Sequence, residues 1–113
     1  LIIEVPHARD ILLKKLKKNS FRKFTLWSEH LLLHTKISLL SFLKKAGYKK
    51  NKIIFYQRYN LLNHIGWLLF DKPGEDIKFK NKLDNKNMAF YDKLLVDYEM
   101  TDTLLSISKK YDL

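Results

Sequence analysis

His7, His30, His34 and His64 are the side chains best suited to proton transfer, because a neutral imidazole can accept a proton near pH 7. His30 and His34 stand four residues apart, which on a helix puts both on one face, a spacing used for metals. The His-Glu-x-x-His order is not met, since Glu29 precedes His30, and no metal is expected. His7 follows Pro6 at the end of an apolar run, Leu1 to Val5, that reads as a buried strand. In open α/β sheets ligands bind beyond the carboxyl ends of the strands, so His7 is a candidate base. Simple packing within a loop is the alternative.

A second group of polar residues is Tyr56-Gln57-Arg58-Tyr59, at the end of a run from Lys52 that reads as a strand. Alternation would put Tyr56 and Arg58 on one face and Gln57 and Tyr59 on the other. Asn63 and His64 follow about one helical turn later. Such groups could bind a sugar-like or carboxylate-bearing ligand, or could be half-exposed edge residues. Trp27, Trp67 and Phe70 read as core before they read as a substrate platform. Ser20, Ser28, Ser38 and Ser41 lack the context of a nucleophile elbow. Gly47, Gly66 and Gly74 are the only glycines, so there is no G-x-G-x-x-G and no Walker loop. With no cysteine, disulfide scaffolds, zinc ribbons and thiol nucleophiles are excluded together.

The elements that would carry these residues begin with the strand Leu1–Val5, ended by Pro6. Asp10 is a helix cap for Ile11 to Lys18, which Asn19-Ser20 breaks. Phe24 to Thr35 is ambiguous. Lys36 to Ala46 is the clearest helix, with Ile37, Leu40 and Leu43 on a stripe and Gly47 as its left-handed C-cap. Lys52 to Tyr59 is a strand and Leu61 to Phe70 a helix after Asn60. Asp71 to Gly74 is a turn and Asp76 to Asn87 a polar loop. Met88 to Tyr98 and Thr103 to Lys110 read as two short amphipathic helices, with Thr101 or Asp102 capping the second.

At 113 residues and 46% hydrophobic composition the chain makes one small domain with a core of its own. The apolar runs are far below the roughly 18 residues of a membrane span, no membrane partner is expected, and Glu4, Arg9 and Asp10 interrupt any leader pattern. The expected compartment is the cytoplasm. The net charge of +10 lies entirely in residues 1–52, and residues 53–113 sum to zero. Basic clusters invite nucleic acid, but 19 of the 22 basic residues are Lys, whereas bidentate recognition favours Arg. A solvated surface is the expectation, and nucleic acid is not the expected partner.

Several segments, taken in order, carry a resemblance. Ile3-Glu4-Val5-Pro6-His7-Ala8 resembles the fifth strand and following loop of class I S-adenosylmethionine-dependent methyltransferases. Ile37 to Tyr48, with its Ala46-Gly47-Tyr48 turn, is similar to the helix and sixth-strand entry that follow there. Phe24-Thr25, Trp27-Ser28, His30-Leu31, Tyr56-Gln57-Arg58-Tyr59, Asn63-His64, Trp67-Leu68, Lys72-Pro73-Gly74 and Thr101-Asp102-Thr103-Leu104 resemble a bacterial subgroup with an extended C-terminal region.

The resemblance implies an α/β fold: the C-terminal portion of a Rossmann-like class I methyltransferase sheet over residues 1–59, then a helical C-terminal extension over 60–113. It implies a sixth strand parallel to the fifth with an antiparallel seventh between them. The glycine-rich loop and acidic residue that bind the cofactor lie upstream of Leu1 in the family pattern. The chain therefore reads as a substrate-side fragment, incomplete without that half and expected to be inactive, and unstable or homodimeric, alone. S-adenosylmethionine would be the cofactor of the full-length enzyme, with none expected for this fragment. The partner would be a small-molecule methyl acceptor. His7 or His30 would serve as base, Arg58 and Asn63 would bind the acceptor, and Trp27 and Tyr59 would wall its pocket. A basic module binding nucleic acid or an acidic partner through Lys14, Lys15, Lys17, Lys18, Lys44, Lys45, Lys49 and Lys50 is the competing reading, and a purely structural remnant the third.

Overall fold

A computed structural model describes residues 1–26, 32–74 and 84–110. Its elements, in order, are β1 (Ile2–Pro6), α1 (Ile11–Lys14), α2 (Asn19–Thr25), α3 (Lys36–Lys45), β2 (Lys50–Tyr56), α4 (Leu61–Phe70), α5 (Asn85–Asp97) and β3 (Thr103–Lys109). The fold is mixed α/β, with five helices and one three-stranded antiparallel sheet among the described residues.

The sheet order is β1-β3-β2. β3 runs antiparallel to both neighbours, so β1 and β2 run parallel to each other with β3 between them. Thr103 lies opposite both Pro6 and Tyr56, which brings the carboxyl ends of β1 and β2 to one rim. Pro6 is the last residue of β1 rather than its stop. In the antiparallel ladder His7 donates to Asp102 O, so the ring nitrogen of Pro6 faces away from β3, where no donor is needed. On that outer side His34 donates its N–H to Pro6 O and Ala8 donates to His34 O, a single parallel bridge.

The strand β3 corrects the expected helix over Thr103–Lys110, and with it the all-helical character expected of residues 60–113. Leu104, Ser106 and Ser108 are buried while Ile107 and Lys109 are exposed, a period of two rather than 3.6. Pairing on both sides satisfies the backbone of β3, which a lone amphipathic turn could not do. β3 thus hydrogen-bonds both strands of the first 59 residues.

The helix α3 forms where Thr35 and Ser38 exchange side-chain-to-backbone hydrogen bonds at its start. It ends at Gly47, whose φ of 93° only glycine adopts readily. Its Leu39 and Leu43 pack on Leu104, with Ile3, Val5, Ile53 and Phe55 around them. The opposite sheet face leaves Ile2, Tyr56 and Ile107 exposed.

A second core joins Leu12 of α1, Phe21 of α2 and Trp67 of α4. Phe21 meets the Trp67 ring edge-on at 5.3 Å. Trp67 is therefore core, as its type suggested, whereas Phe70 is half exposed. The stretch Ile11 to Lys18 is only one helical turn, and Asn19 opens α2 instead of merely ending α1. After α4 the chain turns back so closely that a Cβ on Gly66 would stand 2.3 Å from Gly74 Cα. Of the expected loop Asp76–Asn87, residues 76–83 lie outside the described residues, and Asn85–Asn87 open α5 behind the cap Asp84.

Candidate functional site

A cavity of about 590 Å³ opens at the rim where β1 and β2 end. Val5 and Pro6 line it from β1 and His7 from just beyond it, Phe21, Phe24 and Thr25 from α2, and Arg58 and Tyr59 from the turn after β2. Its carboxylates are Glu4, Asp10 and Asp102. The lining mixes apolar and aromatic side chains with charged ones, the mixture that ligand pockets use for affinity and orientation.

The expected strand Lys52–Tyr59 ends at Tyr56, so alternation does not decide where Arg58 and Tyr59 point. A carboxylate does. Asp102, at the start of β3, accepts the Arg58 N–H on Oδ1 and the Tyr59 N–H on Oδ2, both at 2.9 Å. Thr103 Oγ1 donates to the same Oδ1 at 2.8 Å, and Gln57 Nε2 donates to Oδ2 at 3.0 Å. Gln57 Oε1 in return accepts the Asp102 N–H at 3.0 Å. The turn after β2 is thus clamped to the central strand by one side chain. Burial pushes the Asp102 carboxyl above its usual range, opposed by the hydrogen bonds from Arg58, Tyr59 and Thr103.

His7 is 1% exposed and its Nδ1 lies 2.8 Å from Thr101 O. A carbonyl can only accept, so Nδ1 carries the hydrogen and the neutral ring keeps its lone pair on Nε2. Burial holds the His7 pKa below its ordinary value, against the opposing pull of the Thr101 hydrogen bond. Among the described residues nothing binds Nε2, and a neutral imidazole with an available nitrogen is the form a general base requires.

Asp10 is the residue whose importance the sequence reading missed. It was expected only to cap α1, and it does, accepting the Leu12 N–H on Oδ1 at 2.9 Å. It is also 3% exposed and lines the cavity, and burial pushes its pKa up to about 7 against the Leu12 hydrogen bond, with the Asp102 charge adding to the rise. At neutral pH it can both give and take a proton. Nearby, His64 Nδ1 and Tyr91 Oη meet at 2.6 Å, joining α4 to α5. Burial lowers His64 to about 4 and raises Tyr91 to about 12, with the Asp10 and Asp92 charges adding to the latter.

The structure brings His7, Arg58 and Tyr59 to one cavity. Asn63 is not among its lining residues: it is buried within α4, its N–H held by the Asn60 cap at 3.0 Å. Trp27 and His30 lie outside the described residues. Arg58 is well exposed, 3.7 Å from Glu4 Oε1 and with its guanidinium 5.7 Å from the Tyr59 ring centre, and so is only loosely held. His34 packs beside α3, with Nδ1 at 3.1 Å from Ser38 Oγ. Among the described residues no three His, Asp or Glu side chains converge on a metal position, and no helix is long and apolar enough to cross a membrane.

A scan against family models, a search of curated proteins and a search of solved structures each find no match to this chain.

Proposed function

We propose that this chain is the acceptor-binding portion of a class I methyltransferase, which as a whole would transfer a methyl group from S-adenosylmethionine to a small, sugar-like or otherwise hydroxylated molecule. The observation that carries the reading is the strand order: two parallel strands with an antiparallel third between them, β1-β3-β2. That is the arrangement the resemblance implies for the last three strands of such a sheet.

Two further features support it. β1 is an edge strand among the described residues, and the sheet face opposite α3 leaves Ile2, Ile107 and Tyr56 exposed. Doubly wound sheets carry further strands and a second layer at these places.

The residues of this chain do not fit the cofactor. Gly47 ends a helix, where an added Cβ would meet nothing within 4 Å, and Gly66 and Gly74 pack against each other. None forms the strand-to-helix loop that would cradle an amino-acid and adenosine moiety. The chain would contribute the acceptor side alone. Arg58 and Tyr59 would orient the acceptor against the aromatic wall of Phe21 and Phe24, and His7 would take its proton.

Calorimetry with S-adenosylmethionine tests the reading on two proteins: residues 1–113, and the same residues joined to the stretch encoded directly upstream. The short protein is expected to give no binding heat and the longer one micromolar binding. Micromolar binding by residues 1–113 alone, or an upstream stretch with no glycine-rich strand-loop-helix, would refute it.

A further inference from the structure

A second cavity, of about 530 Å³, lies between α1 and α2 on the far side from the rim site. Leu13, Lys14, Lys17, Lys18, Asn19 and Arg22 line it, so four cations and one amide face a common space with no carboxylate among them. The helix α2 separates the two cavities: Phe21, Phe24 and Thr25 turn to the rim site, Asn19 and Arg22 to this one.

We infer that this cavity binds a compact, multiply charged phosphate group, a diphosphate in chemical class. Four like charges crowded into one concavity repel one another within a Debye length, about 8 Å at physiological ionic strength. An anion with several charges relieves that repulsion and can meet several donors at once. Among the described residues only Lys18 of the four has a carboxylate partner, Asp71 at 2.9 Å, and that pair is on the surface.

The backbone between the two helices carries a local bend. Lys17 adopts a φ of 48°, the left-handed region that glycine or asparagine would occupy at less cost. Lys18 donates its N–H to Leu12 O at 2.8 Å and Arg22 donates to Lys18 O at 3.0 Å, which fixes the connection that carries Lys17 and Lys18.

Geometry argues for a compact ligand over a polynucleotide. The other basic cluster, Lys44, Lys45, Lys49 and Lys50, sits at the end of α3 and the start of β2. α1 and α2 follow the carboxyl end of β1, at the opposite end of the sheet. Seven strand residues separate the two ends by roughly 20 Å, so the clusters form two patches and not one continuous phosphate track.

The site does not depend on the methyl-transfer reading, and its test is separate. Amide resonances of the labelled chain are followed by NMR during titration with pyrophosphate, with orthophosphate, and with a single-stranded oligonucleotide. Pyrophosphate is expected to shift residues 13–22 saturably and more tightly than orthophosphate, and to weaken with added salt. Lys17→Gly removes one cation at a backbone position that suits glycine, so the fold is kept, and it is expected to weaken pyrophosphate by about threefold to tenfold. Arg22→Ala should do the same, and Lys45→Ala should change nothing. Unsaturable shifts, equal shifts around residues 44–50, an unaltered affinity in both Lys17→Gly and Arg22→Ala, or tight oligonucleotide binding through both clusters without a pyrophosphate response would overturn the inference.

Discussion

Replacing Asp10 by Asn separates what this side chain does as a cap from what it does as an acid. Asn is nearly isosteric and keeps an Oδ1 that can accept the Leu12 N–H, now 2.9 Å away, so α1 retains its cap. What disappears is the carboxyl whose pKa burial raises from 3.8 to about 7. The folded chain therefore binds this proton more tightly than the unfolded chain, and stability falls as pH rises from about 4 to about 7. A shift of roughly three units corresponds to about 4 kcal/mol.

His64 works in the opposite direction. Its pKa drops from 6.5 to about 4 by burial, so the unfolded chain binds that proton more tightly and stability rises with pH across the same window. Its share is about 3 kcal/mol. The two slopes nearly cancel in the wild type. Urea unfolding of both proteins, at intervals from about pH 4 to about pH 8, should give a difference between variant and wild type that rises with pH. His7, His64 and Asp102 are present in both proteins, so the difference isolates Asp10. It should be near zero at the acid end and reach about 4 kcal/mol in favour of Asp10→Asn above pH 7. Two parallel profiles would mean that the carboxyl is not held protonated, and the account of the cavity's electrostatics would fail.

Arg58→Ala, in an enzyme that includes the cofactor half, should raise the acceptor KM about tenfold with cofactor affinity unaltered, the loss of one charged hydrogen bond; unaltered acceptor kinetics would remove Arg58 from the site. Asp102→Ala abandons two backbone N–H groups, the Thr103 hydroxyl and the Gln57 amide, and should cost about 3 kcal/mol in urea unfolding. A loss below about 1 kcal/mol would show that the clamp is not needed. Gly66→Ala would drive a Cβ to 2.3 Å from the Gly74 backbone, which cannot swing aside as a side-chain tip could, and should destabilise by about 2 kcal/mol or more. A wild-type unfolding midpoint would contradict that close crossing.

The parts of this fold that were legible are those whose signals are local. The bounds of α3 were legible because an apolar run and a C-cap glycine at Gly47 lie within a dozen residues of one another, but its inward face was not: Leu39 and Leu43 are buried, whereas Ile37 of the expected Ile37, Leu40 and Leu43 stripe is exposed. β3 was illegible for a physical reason. Its buried face is Leu104, Ser106 and Ser108, and a hydroxylated residue in a single sequence reads as facing water. Only the placement of β3 between two other strands, with α3 above it, accounts for burying those serines, and placement is a long-range fact. The resemblance implied an antiparallel seventh strand between the other two but assigned no residues to it, and residues 60–113 were read as a helical extension.

The site divides along the same line. Pro6 ends a strand and His7 follows, so the candidacy of His7 could be argued from its neighbours, and Arg58 with Tyr59 likewise. The reason those two reach the cavity could not. It lies 43 and 44 residues away in Asp102, which binds their N–H groups. Asp10 gives the sharper case: one oxygen caps a helix, as a local rule foresaw, and the same carboxyl sits beside a second buried carboxylate, which no local rule contains. A capping Asp at the surface would keep an ordinary acidity. Here β1 and β3 converge on the turn that carries it, so the desolvation that raises its pKa comes from the tertiary assembly. The chemistry of this rim is therefore a property of the three strand ends meeting, and substitutions that loosen that meeting should shift the titration of Asp10 before they unfold the chain.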